Sequence, residues 1–108
     1  MKTSEIFKIA KTHLSVAYED SLMGPQKFIC NSLDLAAYKR QITRDEYHRC
    51  QRIVQGRMGD AETIEAWLAH MGHIPTRFLH DKDLCQRIQD YRHAWVDELI
   101  REFEAKGD

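Results

Sequence analysis

A chain of 108 residues, 43% hydrophobic and 31% charged, holds enough apolar surface for one core and too little for a second domain. Its formal net charge of −1 argues against a generic polyanion binder, since such domains are clearly basic. Cys30, Cys50 and Cys85 are odd in number and form no CxxC pair, so they read as reduced thiols and not as a disulfide framework. No window approaches the roughly 20 apolar residues of a membrane span. The opening MKTSEIFKIAKTHLS lacks a signal-peptide apolar run, so a cytoplasmic protein without membrane contact is expected.

The first helical segment runs from about Thr3 to Val16, with Thr3 or Ser4 as the source of the N-cap oxygen and Glu5 at the positive end of the dipole. Ile6, Ile9, Ala10 and Leu14 form its inward face, and Lys2, Lys8 and Lys11 stay in water. YEDSLMG, from Tyr18 to Gly24, reads as a loop, and Gly24-Pro25 marks a break followed by a helix start. The second segment, Pro25 to Arg40, turns Phe28, Ile29, Leu33, Ala36 and Ala37 inward. It ends on Lys39 and Arg40, where cations favour a helix C-terminus.

The third segment carries the clearest local signal. Thr43 and Glu46 form a capping box, and Ile42 and Tyr47 occupy the two positions of a hydrophobic staple. The spacing predicts a helix from Thr43 to Met58, with Tyr47, Cys50, Val54 and Met58 inward and Gly59 as its stop. A fourth segment, Asp60 to Met71, places Ile64, Trp67, Leu68 and Met71 at core spacing, and Gly72 and Pro75 end it. HIPTRFLH, from His73 to His80, reads as a loop whose Ile74, Phe78 and Leu79 plug the core.

The last segment, Asp81 to Lys106, organises the rest. Leu84, Ile88, Tyr91, Trp95, Leu99 and Phe103 recur at steps of three and four, one stripe of a helix roughly 35 Å long. The expected fold is therefore all-α, one compact bundle of about five helices with a long C-terminal helix and Trp95 in the core. Ala94, Val96 and Ile100 lie off the stripe. Either they form a homodimer seam or the first and fourth segments cover them within a monomer; the second is expected.

Candidate chemistry is sparse. His70, His73, His80 and Cys85 fall near one loop, but zinc wants about four convergent ligands from tight pairs, and Gly72 splays the first two imidazoles. Cys50 stands among His48, Arg49 and Arg52, which could lower a thiol pKa, yet helical spacing turns it toward Tyr47 and Val54 as a buried structural thiol. Asp81, Asp83 and Asp90 read as helix-start and solvent-face residues. There is no Gly-rich phosphate loop, no HExxH and no GxSxG. A non-enzymatic protein with no catalytic residue, metal or cofactor is expected.

Charge distribution says more than net charge. From Lys27 to Arg57 seven cations face three carboxylates, whereas from Asp81 to Asp108 five cations face eight. The expected partner-binding residues are Arg40, Arg44, Arg49 and Arg52, with Arg49 and Arg52 sharing a face opposite the Tyr47–Val54 stripe. An ordinary solvated helix face would carry the same residues. Arg and Tyr are favoured anchors of protein–protein contacts, and an acidic protein partner fits such a face. The alternative is a helix-turn-helix DNA binder using residues 33–57, with Arg44, Arg49 and Arg52 projecting from the second helix. Against it, Gln41 stands where the tight turn wants Gly.

MKTSEIFKIAKTHL and RHAWVDELIREFEAKGD at the two ends, with KFICNSLDLA and RCQRIVQGRMG between them, resemble small uncharacterised proteins of tailed phages and prophages. That group has no settled activity, so the resemblance supplies context and no site residues. It implies a protein that binds and inhibits a host macromolecule, of host-takeover or anti-defence type, CRISPR machinery included.

Overall fold

Ile6, Phe7 and Ala10, with Leu14 one turn further on, make the inward side of the first helix, and all four are fully buried. The computed structural model describes residues 1–14, 25–57 and 82–108. In them the chain is all-α, a bundle of four helices: α1 (Thr3–Lys11), α2 (Pro25–Tyr38), α3 (Arg44–Gln55) and α4 (Lys82–Ala105). The helix expected over 60–71, the loops at 18–24 and 73–80, and Met58 and Gly59 lie outside the described residues. Among the described residues no helix is long and apolar enough to cross a membrane.

α1 and α2 each pack against the other three helices, so the core lies between them. Phe28, Ile29, Leu33 and Ala36 enter it from α2, Cys50 and Val54 from α3, and Val96, Leu99, Ile100 and Phe103 from α4. Phe7, absent from the inward face expected of α1, packs its ring against Phe103 at a centroid distance of 6.0 Å. The capping box at α3 forms as expected. The Glu46 N–H donates to Thr43 Oγ1 at 3.1 Å, and the Thr43 N–H donates to Glu46 Oε1 at 2.8 Å.

The start of α1 departs from expectation. Lys2 occupies the N-cap position and contributes no side-chain cap, while Thr3 and Ser4 are buried inside the first turn. The missing oxygens come from the far end of the chain. The Asp108 carboxylate accepts from the Thr3 N–H at 3.2 Å and from Thr3 Oγ1 at 2.9 Å, and the Asp108 carbonyl accepts from the Ser4 N–H at 3.1 Å. Asp108 is aimed there because α4 ends in a left-handed turn. Gly107 has φ 74°, and the Asp108 and Gly107 N–H groups return to the carbonyls of Phe103 and Glu104.

The buried face of α4 is also displaced. Val96 and Ile100, off the expected stripe, are 0% and 7% exposed, whereas Trp95, expected in the core, is half-buried at its margin. Both aliphatic residues belong to the core cluster, on the helix that α1 packs against, whereas Ala94, the third residue off the stripe, is exposed. Arg92 is buried on the same face, its guanidinium 3.8 Å from the centroid of the Phe28 ring. A desolvated cation on an aromatic face gains about 2 kcal/mol, which offsets part of the cost of burying the charge.

Truncating Phe7 to alanine should lower unfolding stability by about 3–5 kcal/mol in urea denaturation, because a fully buried ring leaves a cavity against Phe103. Acid should destabilise the protein through three carboxyls held below their ordinary values. Asp108 is lowered first by the Thr3 N–H, Glu46 first by the Thr43 N–H, and Glu102 first by its bond to Arg57. A depressed folded pKa contributes stability that is complete above the unfolded value and disappears as pH falls through the folded one. The denaturation midpoint should therefore hold near neutrality and drop below about pH 4, and Asp108→Asn should blunt that drop.

Candidate partner-binding surface

α2 ends two residues before the expected Arg40, and the way it ends shapes the surface. Arg40 has φ 58°, a left-handed conformation that costs a residue with a Cβ about 1–2 kcal/mol. The Arg40 N–H donates to the Ala37 carbonyl at 3.0 Å and the Gln41 N–H to the Ala36 carbonyl at 2.9 Å, the two bonds of a Schellman turn. Left-handed geometry thus falls on Arg40 and not on Gln41. Gln41 is fixed from a third side: its Oε1 lies 2.6 Å from Nε2 of the buried His13, which follows α1. Residues 39–43 are held by the turn closing α2, the capping box opening α3 and this bond to the α1 side.

At roughly 100° per residue, Arg44 and Arg49 lie on opposite flanks of α3, with Arg52 and the exposed carboxylate of Asp45 between them. Arg49 donates to the Met1 carbonyl at 2.9 Å, so part of its hydrogen-bonding capacity serves the start of α1. Arg40, Arg44 and Arg52 are exposed and take part in no ion pair among the described residues. Lys39 shares that state. Lys8, Lys11, Arg57 and Lys106 are instead paired with Glu104, Asp97, Glu102 and Glu102.

Arg44 also borders a cleft of about 380 Å³ between α2 and α3, lined by Asp34, Ala37, Tyr38 and Tyr47. Tyr38 is 85% exposed, the most open large apolar side chain among the described residues. It was not among the expected contact residues. Its phase was the available signal, since it falls on the side of α2 away from Phe28, Ile29, Leu33 and Ala36. Tyr47 is half-buried with its ring edge-on to His48, centroids 5.2 Å apart. Burial first, and the adjacent Asp34 carboxylate second, push its phenol up to about 12, so it stays protonated as a donor.

Cys50 is fully buried, and burial pushes its thiol up to about 11 against the opposing pull of Arg49. Among the described residues no three His, Cys, Asp or Glu side chains are placed to hold a metal ion. His70, His73, His80 and the Cys85 side chain lie outside the described residues. No family model, curated protein or solved structure matches this chain.

Arg40→Gly should raise stability by about 0.5–1 kcal/mol in urea denaturation, because glycine relieves the left-handed strain at some cost in unfolded-chain entropy. Cys50 should resist alkylation by iodoacetamide at pH 8 in the native protein and react once the chain is unfolded, as read by peptide mass spectrometry.

Proposed function

We propose that this protein is a non-enzymatic binder that recognises a macromolecular partner through the basic corner where α2 meets α3. The observation that carries the reading is the set of exposed cations, Lys39, Arg40, Arg44 and Arg52, engaged in no ion pair among the described residues. Cations at a rigid, solvent-facing corner speed association with an acidic partner and fix its orientation. An adjoining exposed tyrosine supplies apolar contact area. Arg49, tied to Met1, belongs to the scaffold of this surface more than to its contact face. The partner is a host or phage protein, and the biological role is inhibition of a host factor of takeover or anti-defence type, anti-CRISPR action included. The phage-like phrases at both ends of the chain support that role.

Duplex DNA is the second reading. It draws on Arg44, His48 and Arg52, which recur every four residues along one row of α3. Asp45 beside that row weakens it, because its carboxylate opposes phosphate.

Affinity capture from a bacterial host lysate, with and without nuclease, separates the two. A protein should be retained after nuclease treatment. The double variant Arg44→Glu/Arg52→Glu should lose it, with binding weakened by about tenfold or more and stability changed by less than about 0.5 kcal/mol. Retention that vanishes with nuclease, together with duplex affinity falling steeply with salt, would establish the DNA reading instead.

A further inference from the structure

We infer that the cleft between α2 and α3 is a recognition pocket for an acidic protein segment that carries an aromatic side chain beside its carboxylates. This rests on the partner-binding reading above and assigns its occupant. At about 380 Å³ the cleft falls within the roughly 300–1,000 Å³ range of small recognition pockets. Its walls divide by chemistry. Ala37, Tyr38 and Tyr47 offer apolar and aromatic surface, Arg44 a cation, and Asp34 a carboxylate that engages the Tyr47 phenol and keeps capacity to accept from a peptide N–H.

Two features favour a protein segment over a nucleic acid. The exposed carboxylates of Asp34 and Asp45 flank Arg44, so a phosphate backbone, with a charge every few ångströms, would run past both. Separate carboxylates on a peptide can be spaced to meet Arg40 and Arg44 and avoid them. The second feature is preorganisation. Arg40 keeps an arginine in a backbone conformation that glycine would occupy without strain, beside a loop held by the Ala36 and Ala37 carbonyls, the capping box and His13. A loop already fixed in its bound form loses little further entropy on binding. Tyr38, 85% exposed in the wall of the cleft, is the aromatic anchor on this side of the contact.

The test is an amide-resolved NMR titration of the full chain with the synthetic peptide GSEGFGEGS, whose two carboxylates are set apart on either side of the ring. Saturable shifts confined to residues 34–47 are expected, and GSQGFGQGS, which keeps the ring and removes the charge, should not produce them. Tyr38→Ser, which alters an exposed side chain and leaves the core intact, should weaken the peptide by about tenfold, and Arg44→Glu should do the same. Absence of saturable shifts at millimolar peptide overturns the pocket, as does a short DNA duplex that shifts the same amides at lower concentration. The two failures are separable. A pocket that ignores the peptide falls while the surface reading stands if Arg44→Glu/Arg52→Glu still abolishes partner capture. Capture unaffected by that double variant overturns the surface, and the pocket with it.

Discussion

Phe7 packed against Phe103, with Asp108 closing the start of α1, is the contact on which the rest of this bundle depends. It joins the first helix of the chain to the last and leaves a continuous apolar face for α2. Burial of Ile6, Phe7, Ala10, Val96 and Ile100 supplies the driving force, at about 25 cal/mol per Å² of apolar surface removed from water. The ion pairs along the same seam, Lys8 with Glu104 and Lys11 with Asp97, remain a third to a half exposed and add little energy. Their use is to fix the register of α1 on α4. Arg57 and Glu102 tie the exit of α3 to α4 in the same way.

The basic corner inherits its rigidity from this frame. α1 carries His13 to Gln41, and α2 and α3 bracket the loop with a Schellman turn and a capping box. Each device satisfies backbone groups that a helix end leaves open. Together they hold Tyr38, Arg40 and Arg44 in place without burying them. Lys8, Lys11, Arg57 and Lys106 are paired with carboxylates of α4, which is acidic where it meets α1 and the exit of α3. Lys39, Arg40, Arg44 and Arg52 take part in no ion pair among the described residues and face solvent, as do Lys2 and Arg101. What distinguishes the α2–α3 corner is that four such cations accompany the exposed Tyr38.

Much of the fold was legible because helix formation and amphipathic burial follow local rules. Thr43 and Glu46 sit three apart, and their reciprocal bonds form as the spacing required. The inward residues of α2 and α3 were readable from period alone, as were Leu99 and Phe103. The candidate site was less legible. Arg40, Arg44 and Arg52 are exposed as their phase implied, but the involvement of Arg49 with Met1 depends on where α1 begins relative to α3. Tyr38 and Tyr47 became wall residues of one cleft through the α2–α3 crossing, which no spacing within either helix encodes.

The sequence by itself determined an all-α fold, the start of α2 at Pro25, the Thr43–Glu46 cap that opens α3, and most of the apolar residues that enter the core, because these depend on neighbours within one or two helical turns. Tertiary structure decided that Asp108 would cap α1 from 105 positions away, and that Arg92 and Val96 would lie in the buried face of α4 while Trp95 moved to its edge. It also decided which arginines would be left for a partner. Each of these outcomes depends on which helix lies against which face. Periodicity locates the apolar arc of a helix, but its breadth admits more than one packing angle, and only the neighbours that arrive select among them.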